Sequence, residues 1–227
     1  MKKLVFLFIT VAALGLFSSC DMDDDYYSMN NSWVGFGLIQ EDSTNQLVTI
    51  LMDDGEILLP ANSYSDFTDV KNNDRVLTNF TILGDKENSI NEEQYYVKIN
   101  SLRKILYKGI LDIKPEIDDS IGNDPIKVKN YWLTNDMLNF ELQYRGGNKV
   151  HYINLVKQSG EINTDNGPVL LELRHNANDD KEHIPLAAIV TFDMSSLKVA
   201  GKTSTPFKII AKGFDGVDFE YTGEYKY

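Results

Sequence analysis

The chain is poor in the residues that cross-link, grip phosphates or run reactions, and each shortage removes a class of function. It has one cysteine, Cys20, in 227 residues. A single thiol makes no intramolecular disulfide, no Cys-x-x-Cys redox pair and no thiolate zinc site, so stability must come from packing. Basic residues are outnumbered: 22 Lys and Arg stand against 34 Asp and Glu, for a formal net charge of −12. That balance excludes a nucleic-acid ligand, whose phosphates are gripped by a basic face that releases counterions. Adhesion to an anionic membrane surface by charge is disfavoured for the same reason. Phosphate cradles of the G-x-x-x-x-G-K-[ST] and G-x-G-x-x-G types are missing, and Gly35-Phe36-Gly37 is too short to replace them. No G-x-S-x-G elbow occurs, and Ser195-Ser196 has no histidine close by in sequence. Two carboxylates at the right separation would suffice for a glycosidase, but so many acids make chance pairs inevitable and carry no argument.

What is present begins at the N-terminus. Lys2 and Lys3 precede an apolar run over residues 4–17, and Phe17-Ser18-Ser19 lead into Cys20. The run is too short to span roughly 30 Å of hydrocarbon and has the flanks of a secretory leader, so residues 1–19 are expected to be removed as a signal peptide. A cysteine at such a cut is the acylation site of a bacterial lipoprotein. At about 0.8 kcal/mol per buried CH₂, several acyl chains hold a soluble domain on a membrane almost permanently. No second long apolar run exists, which leaves this lipid as the membrane anchor. Removing the leader leaves 208 of the 227 residues and carries the net charge from −12 to −14. Residues 20–32 then read as lipid anchor and acidic tether. Asp21, Asp23, Asp24 and Asp25 repel one another and stay solvated. They lack the glycine turn and distant glutamate of an EF-type Ca²⁺ loop. Their place just after the cysteine resembles the surface-export signal of outer-membrane lipoproteins in some Gram-negative anaerobes, which implies display on the outer face of the outer membrane.

Residues 33–114 have a strand-and-turn pattern. Apolar runs at 47–52 and 57–59 flank Asp53-Asp54-Gly55-Glu56, the signature of a tight hairpin of type I′. Residues 75–83 put Val76, Thr78, Phe80 and Ile82 on one face, and 94–100 do the same with Tyr95, Val97 and Ile99. Residues 101–113 fit either a helical turn or a strand with a bulge, and strand is taken. Gly35 and Gly37 mark a bulge or a close approach within a barrel. About five short strands with glycine-punctuated turns suit a small OB-type barrel. On such a barrel Tyr64, Phe67, Tyr95, Tyr96 and Tyr107 could offer stacking faces to a sugar or peptide, or serve as core and edge cover.

Pro115 and the acids after it mark a linker over 115–123. From 124 to 227 strands recur at 126–133, 137–144, 150–156, 169–174, 184–192, 207–214 and 217–221. Turns at Gly146-Gly147-Asn148 and Asp215-Gly216 are expected to close hairpins. Seven strands and no convincing helix predict a β-sandwich, making the chain all-β.

Several segments resemble the recurring ones of NigD-like lipoproteins: Ser120-Ile121-Gly122-Asn123-Asp124-Pro125-Ile126, Trp132, His151-Tyr152-Ile153-Asn154-Leu155-Val156, and Leu171-Glu172-Leu173-Arg174-His175-Asn176-Ala177. The acidic start after Cys20 is similar too. The resemblance spans essentially the whole chain and implies an N-terminal OB domain and a C-terminal β-sandwich. It brings no catalytic motif, while the family's name, from a bacteriocin gene cluster, raises a role in bacteriocin production or immunity. Gly122 and Pro125 are expected to shape the turn into the first sandwich strand, with Asn123 or Asp124 bonding local amides. Asp119-Ser120-Ile121 also resembles an O-glycosylation acceptor triplet of the same Gram-negative group.

The three histidines, His151, His175 and His183, all fall in the second domain. His175, Asp179 and His183 are the candidate metal ligands, if a hairpin loop brings them together, although their spacing matches no compact zinc pattern. The bland reading is a solvated hairpin end, and His151 reads as a packed or hydrogen-bonded strand residue. The sequence therefore predicts a non-enzymatic envelope lipoprotein with no cofactor, presenting two β-domains to a protein or glycan partner. Bacteriocin immunity is the alternative, and a hidden hydrolase the third reading.

Overall fold

The structure is a computed structural model that describes residues 30–42, 47–61, 69–86, 93–160, 162, 167–181 and 183–227. Cys20, Asp21, Asp23, Asp24 and Asp25, with Tyr64 and Phe67, lie outside the described residues. Among the described residues no helix is long and apolar enough to cross a membrane.

The first domain is a closed barrel of β1 (Trp33–Asp42), β2 (Leu47–Met52), β3 (Ile57–Pro60), β4 (Arg75–Asp85) and β5 (Gln94–Lys104), in the order β1-β2-β3-β5-β4 with β4 closing on β1. Alternation drives it. Ile39, Ile50, Leu58, Val76, Phe80 and Val97 point inward and are buried, while their neighbours face out. Gly37 is an inward position with no room for a side chain: a Cβ there would lie 2.6 Å from Ile50 Cγ2 and 2.8 Å from the Leu51 carbonyl. Glycine thus lets β1 and β2 approach closely, as the sequence implied. The β2–β3 hairpin forms, but its turn is not type I′. Gly55 N–H donates to the Met52 carbonyl and only Gly55 in the turn has positive φ, so a type I turn is followed by one left-handed glycine.

The second domain stacks two sheets around Leu138, Phe140, Leu155, Leu173, Phe192 and Phe207. Its expected strands all form: β8 (Lys127–Thr134), β9 (Met137–Gly146), β10 (Tyr152–Gln158), β11 (Val169–Asn176), β12 (Ile184–Asp193), β13 (Ser204–Ala211) and β14 (Phe219–Lys226). Two more join them. β6 (Leu106–Gly109) pairs parallel with β12, and β7 (Leu111–Ile113) pairs parallel with β10, giving sheets β6-β12-β9-β8 and β14-β13-β11-β10-β7. Residues 106–113, placed in the barrel by the sequence reading of 33–114, thus belong to the sandwich. They are strands, as read, but strand periodicity does not say which sheet supplies the partner.

A second correction concerns Gly146-Gly147-Asn148. β9 and β10 lie in different sheets, so this turn carries the chain across the core and closes no hairpin. The Asp215-Gly216 turn does join a hairpin, β13 with β14. The expected linker 115–123 contains a short helix, α1 (Pro115–Ile121), with proline in its first turn and Glu116 and Asp118 near its N-terminus. Arg174 on β11 holds α1 against the sheet, donating from Nε to the Gly122 carbonyl at 2.7 Å and from Nη1 to Asp118 at 3.1 Å.

Candidate functional site

The barrel docks on the outer face of the β6-β12-β9-β8 sheet, and one arginine organises the junction. Arg75, the first residue of β4, has a fully buried guanidinium. It pairs in bidentate fashion with Asp53 at the β2–β3 turn, with 2.6 Å between Nη2 and Oδ2. Nη2 also donates across the junction to Asn139 Oδ1 on β9 at 3.3 Å, and that oxygen accepts the Thr191 hydroxyl of β12 at 2.8 Å. The guanidinium lies over the Phe36 ring, which packs against Trp132 of β8 at 5.6 Å between centroids. A planar donor fork serves such a position because it bonds in its plane and stacks on its face.

Beside this contact is a cleft of about 230 Å³, lined by Leu38 and Leu51 of the barrel and Tyr107, Asn135, Asp136 and Asp193 of the sandwich. Burial would raise Asp136, but hydrogen bonds from Lys198, Tyr225 and Ser195 outweigh it and hold the carboxyl below the usual range. Burial pushes the Tyr107 hydroxyl up, and so does the charge of Asp193. Ser195 donates to a carboxylate that already accepts from Lys198 and Tyr225, and whose lowered pKa makes it a weak base for the serine proton. The cleft combines apolar Leu38, Leu51 and Met137 with acidic Asp136 and Asp193, a form suited to binding.

The histidines sit at the far end of β9. His151, just before β10, places Nδ1 2.8 Å from Nε2 of His175 on β11 and Nε2 3.1 Å from Asp180 Oδ2. His175 Nδ1 lies 3.1 Å from the Pro125 carbonyl. Both rings pack on Tyr144, and burial lowers His175. Asp180, stabilised foremost by the Gly147 N–H and further by His151, Lys149 and Asn148, is held far below the usual carboxylate range. The candidate set His175, Asp179 and His183 does not assemble: β11 and β12 belong to opposite sheets, His175 is buried against His151, and Asp179 and His183 are exposed. Among the described residues no group of three or more His, Cys, Asp or Glu could hold a metal ion. Where the sequence reading expected Asn123 or Asp124 to bond local amides, Asp124 Oδ2 accepts from a distant one, the Ala177 N–H just after β11, at 2.7 Å.

Of the barrel aromatics, Tyr95 is half-buried with its hydroxyl on Glu93, and Tyr96 is 48% exposed. Tyr107 is a sandwich residue at the cleft. Sequence reasoning missed Arg75. The available signal was a lone cation at the head of an alternating strand, and a partner on another domain leaves no trace in spacing.

Three solved structures share the two-domain fold. A Parabacteroides distasonis protein provisionally named as toxin-related is 29% identical, with 86% of this chain and 94% of that chain covered and a TM-score of 0.70. A NigD-like immunity protein from Bacteroides caccae is 22% identical over 89% and 99% of the two chains, with a TM-score of 0.64. A Bacteroides fragilis protein provisionally named a lipoprotein is 15% identical over 87% and 98%, with a TM-score of 0.58. No curated protein matches the sequence. The NigD-like N-terminal OB domain matches residues 36–105 and the NigD-like C-terminal beta sandwich domain matches 109–225, so the chain belongs to the NigD-like family.

Proposed function

We propose that this protein is a lipid-anchored envelope protein that acts by binding a protein partner, with the junction between barrel and sandwich as its recognition surface. The observation that carries the reading is the Arg75–Asn139 bond between the domains, which fixes two β-domains as one body beside an open cleft. Preorganised concave surfaces lose little entropy on binding. Asp136 and Ser195 at the cleft are already committed to structural bonds, which favours recognition over turnover. Anchoring rests on Cys20 and its leader, and display outside the cell on the acids that follow. In the test, a photo-crosslinking side chain replaces Asn135 at the cleft or Lys208 on the opposite sheet, in cells carrying the anchored protein. The reading expects one discrete adduct from position 135 and none from 208; equal labelling, or none, overturns it. Replacing Cys20 by serine should release the protein from membranes, and an unchanged membrane fraction would remove the anchor.

Immunity to a bacteriocin is the second reading, favoured by the likeness to the Bacteroides caccae immunity protein. Cells lacking the gene should become sensitive to culture supernatant from a bacteriocin-producing neighbour and be rescued by the anchored protein but not by the Cys20→Ser form. Unaltered sensitivity would overturn this role.

A further inference from the structure

The line Pro125 carbonyl, His175, His151, Asp180 contains three polar contacts. A carbonyl and a carboxylate terminate it, and both only accept, so each contact needs its own proton on a ring nitrogen. Two neutral imidazoles carry two. We propose that the His151–His175 pair holds one proton more than two neutral rings, and that this proton is a latch on the end of the sandwich where the β9–β10 and β11–β12 crossings meet.

His175 donates from Nδ1 to Pro125 and accepts at Nε2; His151 donates from Nδ1 to His175 and from Nε2 to Asp180. The extra charge resides on His151, facing Asp180 with both side chains only 3% exposed. Asp180 in turn gathers the β9–β10 crossing. Its carboxylate accepts from the N–H groups of Gly147 at 2.6 Å, Lys149 at 3.2 Å and Asn148 at 3.4 Å. Lys149 Nζ donates to the Asn178 carbonyl at 2.9 Å, tying the same crossing to the β11–β12 connection. The other groups facing the pair are the Tyr144 ring from β9 and the Asp124 carboxylate from the segment before β8. Neither Tyr144, which burial keeps protonated, nor Asp124 supplies the missing proton. Loss of the third proton turns one N–H···acceptor contact into two facing lone pairs, so one contact must open. The exposed Val150 in the β9–β10 crossing and Tyr152 and Ile184 at the starts of β10 and β12 flank this latch, so their arrangement becomes proton-dependent.

The test uses the full chain with ¹⁵N-labelled histidine. Ring ¹⁵N shifts followed from pH 5 to 9 should show a range in which His151 has both nitrogens protonated while His175 is the neutral Nδ1–H form. As that third proton leaves, amide protection at Gly147, Asn148 and Lys149 should fall about tenfold or more beyond the intrinsic rate change, the loss of a charge-assisted bond, while barrel amides such as Ile50 stay unchanged. In Asp180→Asn those three amides should be less protected at every pH and show no step. Independent titration of two rings with no shared range, or a third proton that leaves without altering these amides, overturns the proposal. So does an Asp180→Asn protein that keeps the step.

Discussion

Arg75 concentrates the junction's energetics in one side chain. Truncation to alanine leaves Asp53, itself 20% exposed, without its counter-charge and removes one of the two donors to Asn139 Oδ1, the Thr191 hydroxyl remaining. Breaking a buried pair from one side costs about 3–5 kcal/mol, and the partial exposure of Asp53 places this case near 3. Urea unfolding of Arg75→Ala should show a midpoint lowered accordingly. Replacement by leucine should recover little, because Asp53 stays unpaired. Gly37 acts by absence of bulk. Gly37→Ala forces a methyl into Ile50 and the Leu51 carbonyl, and overpacking of this kind costs about 1–3 kcal/mol. A Gly37→Ala midpoint equal to wild type would show that β1 can shift at no cost. Gly37 was legible in the sequence as a close approach; Arg75 was not, since its meaning depends on Asn139, 64 positions away.

At the scale of elements, strand positions were readable because one wet face and one dry face impose a period of two. In Met137–Gly146, Leu138, Phe140 and Leu142 are buried and Glu141 between the last two is exposed, while Asn139 on the alternate face is buried as well, against Arg75 of the barrel. Pairing was less legible. Gly146-Gly147-Asn148 has hairpin chemistry but makes a crossing, because β9 is already flanked by β8 and β12. β6 and β7, one residue apart, part to opposite sheets, which no local rule distinguishes from a bulged strand. The metal candidates failed for the same reason, a crossing taken for a hairpin.

Elements are also tied by charge. Asp136, in the β8–β9 turn, bonds Tyr225 of β14 and Lys198 after the 3-10 turn at Ser195–Leu197. Its carboxyl is lowered in the folded protein, so its stabilisation is present above the ordinary carboxylate value and is lost as pH falls through the lowered one. Asp136→Asn should therefore lower the urea midpoint at neutral pH and shrink the fall in midpoint on acidification. A variant whose midpoint falls with acid as steeply as wild type would show that Asp136 contributes nothing to the acid loss and would overturn this assignment.

The whole molecule poses the question of whether two domains behave as one. The barrel core is small, built on Ile39, Ile50, Leu58, Val76, Phe80 and Val97, and a domain of about 70 residues buries too little surface to be more than marginally stable alone. The sandwich has the larger aromatic core, with Phe140, Phe192, Phe207 and Tyr225. Joined through Arg75, Asn139, Phe36 and Trp132, the barrel should unfold together with the sandwich, and calorimetry of the wild type should show one transition whose van't Hoff and calorimetric enthalpies agree. The double variant Phe36→Ala, Asn139→Ala removes the stacked ring and the cross-domain acceptor while leaving both cores and the Arg75–Asp53 pair in place. Two transitions are then expected: an earlier one that melts barrel amides and a later one close to the wild-type temperature. One retained transition in the double variant would mean that the continuous chain through Ile105 couples the domains without the junction. Two transitions in the wild type would mean that the cleft lies between independent bodies and is not a fixed surface.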